Sequence, residues 1–335
     1  MNPDSSTTAA TPGIGTPPEE EDDLVFVDGE EDERSGGRTD AEPRVSGQGT
    51  QAAAKNPTAE EPKRRPAPAP RTHGGSGEHY KVTVFSTDKA GHRFVFVPIW
   101  DAYHKILSTY TCLPVTSAQA DRIAFGHDLL PAGASDLERA QFDKRSFDHV
   151  VATAADLQRN RLATLLNFGI DYASLSTGRS RDLLLAAFRT LPKSLGNVIT
   201  LQINNAPDHI PTLTLGERIA LVKPYFRAVM LQVPTLAFNA SRFSYMGLHA
   251  LIYRLWDWAH HERAPDFVEI AGIIKHAKAE HLQFGFAGVH DVALANKLAH
   301  AGATYLSGPF LGSALDIPAA MRRCTLEEIA LGPKS

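Results

Sequence analysis

Cysteine is nearly absent from this sequence. Its 335 residues contain two, Cys112 and Cys324, far apart and without metal-ligand spacing. That pattern excludes a disulfide-stapled scaffold and a cysteine-based zinc site, and it fits reduced thiols in a cytoplasmic protein. Long apolar runs are missing as well. Nothing approaches the roughly 18 residues of a membrane span, and no basic-then-apolar leader opens the sequence, so a soluble protein without membrane contact is expected. Charge of one sign is also scarce, with 34 Lys and Arg against 38 Asp and Glu. Such a diffuse balance gives no footing for a nucleic-acid polymer as partner.

Aromatic residues are missing from residues 1–78, apart from Phe26, while Pro, Gly, Ser, Thr and charge are abundant there. A segment of that composition cannot bury enough apolar surface to offset its chain entropy, so a long disordered tail is expected over 1–78. The tail has a net charge of −8, and residues 79–335 carry +4. Within it, Glu19–Glu33 holds ten acids and no base around Leu24-Val25-Phe26-Val27. This reads either as a solvated acidic run or as an extended docking motif for a partner's sheet edge. Lys63-Arg64-Arg65 with Pro66–Pro70 forms a basic, polyproline-like spacer, and Gly74-Gly75-Ser76-Gly77 marks the boundary.

Residues 79–335 hold nearly all the large apolar side chains, enough for one core of the ~250-residue size that barrels reach. The pattern predicts strands at Tyr80–Ser86, Arg93–Ile99 and Ile106–Leu113, the last two joined by a turn so tight that they must pair antiparallel. Helices are predicted over about 142–160 and 180–191, near 214–222, and from Phe267 through Ile270, Ile274 and Ala277. Further strands fall at Thr164–Asp171, Val198–Asn204, Ala228–Val233, His249–Leu255, Leu282–Ala287 and Ala303–Leu306, and Asp291 is placed to cap the last long helix. From Arg93 onward that is eight strands, a count that suits a closed α/β barrel with an antiparallel first strand better than an open sheet.

Three segments then carry a family resemblance. Phe96-Val97-Pro98-Ile99-Trp100-Asp101 resembles the opening Q-P-I-V-D strand of the EAL family of cyclic-di-GMP phosphodiesterases. Phe284–Asp291 resembles that family's V-V-A-E-G-V-E-T. Ala301–Pro309 resembles its G-C-D-x-x-Q-G-Y at the matching separation. The resemblance covers about 90–323 and implies a TIM-like (β/α)8 barrel of EAL type, and with it a bacterial signalling protein.

The resemblance also implies where hydrolytic chemistry would sit. Metal-assisted phosphodiester hydrolysis needs several carboxylates converging on divalent cations at the C-terminal strand ends. Here the family's signature Glu falls at Tyr110 or Thr111, and its third-strand Asn falls within Asn167–Asp171, where Asn167 or Asp171 could point inward. Its E-x-T-E is Gln202-Ile203-Asn204-Asn205, its Asp pair falls at Leu231-Gln232, and its Lys and Asp fall near Ile252-Tyr253-Arg254. The two seventh-strand Glu positions are Ala287 and His290, and the late Gln is Ser307. At most one acid, Asp171, remains. Amides neither neutralise a bare divalent cation nor act as a general base near neutral pH.

Other conspicuous residues read more simply. His260-His261-Glu262 lacks metal-site spacing. Trp256 and Trp258 serve either packing or the stacking of a base. Ser174, Ser176, Thr177, Arg179, Ser180 and Arg181 serve either a helix cap or a phosphate seat. No residue is nominated as catalytic, cofactor-binding or metal-ligating. The expected function is a non-catalytic, degenerate EAL-like signalling or regulatory module acting on a protein partner. The alternatives are a cyclic-di-GMP receptor without hydrolysis and a divergent phosphodiesterase. Limited proteolysis is expected to yield a resistant fragment starting near Tyr80; equal resistance of residues 1–78 contradicts the division.

Overall fold

The computed structural model describes residues 93–119, 122–255 and 266–331. β1 (Arg93–Asp101) turns into β2 (Ile106–Gln119), which folds back as β3 (Arg122–Phe125). There follow α1 (Asp136–Arg159), β4 (Leu165–Asp171), α2 (Gly178–Arg189), the single turn α3 (Lys193–Gly196), β5 (Ile199–Asn204) and α4 (Thr212–Val222). Next come β6 (Ala228–Val233), β7 (Ala250–Arg254), α5 (Phe267–Ala279), β8 (Gln283–Ala287), α6 (Val292–His300), β9 (Tyr305–Ser307), β10 (Arg322–Arg323) and α7 (Leu326–Leu331).

Eight strands close in the order β1-β9-β8-β7-β6-β5-β4-β2 and back to β1. β1 is antiparallel to both neighbours, and the remaining barrel neighbours are parallel. The eight-strand barrel with an antiparallel first strand is thus the architecture expected from the sequence. The segment Tyr80–Ser86, the acidic island around Leu24–Val27, Trp256, Trp258 and His260-His261-Glu262 lie outside the described residues. Among the described residues no helix is long and apolar enough to cross a membrane.

Element boundaries differ from the sequence reading for identifiable reasons. α1 begins at Asp136 rather than near 142, because Ser135 and Glu138 form a reciprocal capping box ahead of the apolar stripe. β2 runs on to Gln119, where the sequence carries no apolar alternation, because β3 gives its backbone a partner. Asp291 caps α6 as expected, its side chain accepting from the Leu294 amide at 2.7 Å.

The outward sides of the strands make the core. Phe168, Leu201, Val229, Leu251, Phe284 and Leu306 are fully buried against the surrounding layer. Phe147 of α1, Phe188 of α2, Phe168 and Phe226 meet edge-on or tilted, with ring centroids 5.0 Å apart for the 147–188 and 188–226 pairs. Truncating any one of them is worth about 3–5 kcal/mol. The inward sides are smaller and more polar, with Asn167, Thr200, Gln202, Ala250 and Gln232 at those positions.

A bulge sets which β2 side chains turn inward. Ile99 pairs with Thr109 and Trp100 with Leu107, which leaves Ser108 as the extra residue. Beyond it Thr109, Thr111 and Leu113 face the lumen, and Tyr110 and Cys112 join the outer core.

One carboxylate ties α1 to the rim of the barrel. Asp143 is 0% exposed and accepts from the Asp171 amide at 2.9 Å, from Ser174 Oγ at 2.6 Å and from His127 Nε2 at 2.5 Å. Burial alone would lower the basicity of His127. The charge of Asp143 and its hydrogen bond outweigh that, with Asp171 adding and Arg139 opposing, so the imidazole is held above its ordinary 6.5. Asp143→Ala is expected to cost about 3–5 kcal/mol in urea denaturation, because it strands a buried imidazolium and two donors. The linkage has a definite sign: protonated His127 stabilises the fold fully below pH 6.5, and that contribution fades as pH rises through its raised value. A wild-type stability that falls with rising pH above 6.5, and a flattened slope in Asp143→Ala, are the expected readings.

Candidate functional site

The C-terminal ends of the parallel strands form the mouth of a cavity of about 720 Å³ that occupies the lumen. Eight-strand barrels ordinarily fill this space with layers of branched side chains. Here Thr111, Thr200, Gln202, Ala228, Ala287 and Ser307 stand along it and leave it open. Its size lies within the range of small-molecule pockets.

The structure settles the ambiguous positions. Thr111 rather than Tyr110 faces the lumen, and it accepts from Asn167 Nδ2 at 3.2 Å. Thr200 Oγ1 donates to Asn167 Oδ1 at 3.1 Å, so Asn167 is engaged on both sides of its amide. Gln202 Nε2 donates to Asn204 Oδ1 at 2.7 Å. The Asn204 amide lies directly over Gly169, where a Cβ would collide with it. Gln232 is 6% exposed, lines the cavity, and its Oε1 has no hydrogen-bond partner among the described residues. A buried acceptor of this kind favours a water or ligand donor.

Asp171, the surviving acid, is committed elsewhere. Its Oδ2 accepts from Arg139 Nη1 at 2.8 Å and from Asn205 Nδ2 at 2.9 Å. Its Oδ1 accepts from the Ala173 amide at 2.8 Å and caps the turn that follows β4. The carboxylate is 4% exposed and carries its counter-charge already, which leaves little for a metal ion.

Among the described residues the rest of the mouth is sparse in charge. Arg254 Nη2 stands 4.0 Å from Asp128 Oδ2, and His127 sits beside them. Ala287 and Ser307 line the wall where the resemblance places a Glu and a Gln. His290 is displaced onto an exposed loop and pairs with Asp291 at 2.9 Å. Among the described residues no three His, Cys, Asp or Glu side chains are grouped so as to hold a metal ion. The donor set of the described residues therefore does not fit the divalent cations that the EAL resemblance implies for hydrolysis.

The Ser174–Arg181 stretch resolves as a cap rather than a phosphate seat, with Thr177 Oγ1 accepting from the Ser180 amide and Ser174 turned to Asp143. Sequence reasoning missed His127, Arg139 and Asp143. The signal for Asp143 was present: it falls in the same buried helical stripe as Phe147, Val150, Ala154 and Leu157. An acid in an apolar stripe implies buried partners.

At the level of sequence, no protein-family model and no curated protein matches the chain. Solved structures do match. One is the Bacillus subtilis YkuI protein, which has an EAL domain and was solved with its substrate c-di-GMP and calcium. The identity is 15%, the TM-score 0.55, and the match covers 68% of this chain and 56% of that one, so the chain spans little over half of YkuI. The Xanthomonas citri FimX EAL domain, in complex with c-di-GMP, matches at 16% identity and TM-score 0.53 over 67% of this chain and 88% of its own. The PaMucR phosphodiesterase, also in complex with c-di-GMP, matches at 12% identity and TM-score 0.52 over 66% and 91%. The described barrel of this chain has the EAL-domain fold.

Proposed function

We propose that this barrel is a non-hydrolysing regulatory module of cyclic-di-GMP signalling that acts through a protein partner in the cytoplasm. One observation carries the reading. The mouth positions that the EAL resemblance assigns to metal-binding carboxylates hold Thr111, Gln202, Gln232 and Ala287, and the remaining acid, Asp171, is bound to Arg139 and Asn205. Without a carboxylate cluster among the described residues to hold a cation, nothing there brings the pKa of an attacking water down toward neutrality or stabilises the leaving oxygen. What remains is a rigid barrel with a chemically quiet mouth, suited to recognition rather than turnover.

A second reading has its own support: the barrel receives cyclic di-GMP without cleaving it. The cavity is open, its wall offers amide donors and acceptors at Gln202, Asn204, Asn205 and Gln232, and Arg254 supplies a cation at the rim. Solved neighbours of the same fold were captured with that nucleotide.

The two readings separate in one pair of measurements. Purified full-length protein is expected to leave cyclic di-GMP intact with Mg²⁺ or Mn²⁺. Turnover that disappears in Asp171→Ala, while the fold persists by circular dichroism, overturns the proposal. Calorimetric titration with cyclic di-GMP then decides between a module that ignores the nucleotide and a receptor that binds it and loses about tenfold in affinity on Arg254→Gln.

A further inference from the structure

The lumen does not end beneath the mouth. The same cavity reaches the opposite face, where Asp101, His104, Arg227, His249 and Tyr305 line it. These residues come from the N-terminal ends of the parallel strands, from the end of antiparallel β1 and from the turn after it, so they form a floor remote from the mouth. Going round the barrel, β1, β9, β8, β7 and β6 are successive neighbours. Asp101 ends β1, Tyr305 opens β9 as its cross-strand partner, His249 precedes β7 and Arg227 precedes β6. β1 and β6 are four strands apart in either direction, so the carboxylate and the guanidinium stand on opposite walls.

Between them runs a neutral bridge. His249 Nε2 and Tyr305 Oη are 2.7 Å apart and span the position of β8. Gly285 on β8 leaves the room, since a Cβ there would collide with Tyr305. Burial lowers the basicity of His249, Arg227 pushes the same way and Asp101 opposes. Burial and Asp101 push the Tyr305 hydroxyl up to about 12, against the influence of Arg227. Near neutral pH the bridge is therefore uncharged, and it feels both the carboxylate and the guanidinium. Asp101 accepts from the His104 amide at 2.9 Å and pairs with His104 Nδ1 at 2.8 Å, which fixes its orientation. The only hydrogen bond of the Arg227 side chain among the described residues is a long one, 3.4 Å to the Asn197 carbonyl. Arg227 and His104 are exposed, so the floor is open to solvent. Just inside, Met230, Ala250 and Ile252 form an apolar cluster with Ala287 and Tyr305.

We infer that the barrel floor is a second ligand site, built for a small zwitterion of the amino-acid type. Its carboxylate meets Arg227, its ammonium meets Asp101, the His249–Tyr305 pair lies along its length, and its apolar side chain enters the lumen beside Met230 and Ile252. Opposite charges held on opposite walls select a ligand with both charges over one with either alone. This site does not depend on whether the mouth binds a nucleotide.

The test uses the full-length protein and the standard L-amino acids one at a time, with acetate and methylammonium as half-ligands, followed by calorimetry and thermal shift. At least one amino acid with an apolar side chain is expected to bind saturably and raise Tm. Arg227→Gln is expected to weaken that binding about tenfold or more, with circular dichroism unchanged, and Arg254→Gln at the mouth to leave it unaltered. The inference is overturned if no amino acid binds at about 10 mM, a concentration at which even very weak sites are seen. It is equally overturned if a half-ligand binds as tightly as the amino acid, if Arg227→Gln changes nothing, or if Arg254→Gln abolishes binding as fully.

Discussion

Asp143 is a carboxylate with no exposure to water, and the rim of this barrel is arranged around satisfying it. A buried charge costs several kcal/mol unless donors replace the lost solvent. Three donors do so, from the turn after β3, from the backbone at the end of β4 and from the turn beyond it. Satisfying that one group fixes α1 against the sheet. It also fixes the backbone of Asp171, whose own side chain is then clamped by Arg139 and Asn205. The acid that survives at the mouth is thus part of the scaffold, and its chemistry is spent on holding the rim together.

The lumen follows from a second constraint, the division of labour between strand faces. The outward positions carry the large apolar side chains that hold the helices, and the inward ones carry threonine, amides, alanine and glycine interspersed with Val97, Ile99, Met230 and Ile252. Small inner residues leave volume that a barrel of this size would otherwise fill. Polar inner residues satisfy one another, as Thr111, Asn167 and Thr200 do, or leave a buried acceptor such as Gln232 Oε1 without a hydrogen-bond partner among the described residues.

Identity of 12–16% to solved EAL-domain structures secures the fold and nothing finer. Function resides in the groups a fold presents. Among the described residues the charges at the mouth are paired: Arg254 with Asp128, His127 with Asp143 and Asp171 with Arg139. At the floor, a face that usually serves stability, opposite charges border an accessible cavity. The same scaffold thus presents a muted mouth and a polarised floor.

Much of this was legible in the sequence, because local periodicity and turn chemistry are local properties. Eight strands, the tight β1–β2 turn, the Asp291 cap, and uncharged side chains at Gln202, Gln232 and Ala287 can all be read from the residues in order. The tertiary structure alone decided what depends on register and on convergence. The bulge at Ser108 turned Thr111 inward and Tyr110 outward, a difference of one residue that inverts every side chain beyond it. His127, Asp143 and Asp171 are spread over more than forty positions and meet only because α1 packs on β4. Asp101 and Arg227 come to line one cavity only because the sheet closes. Sequence spacing carries no trace of such meetings, since closure of a barrel brings together residues whose separation along the chain is set by helices and loops rather than by chemistry.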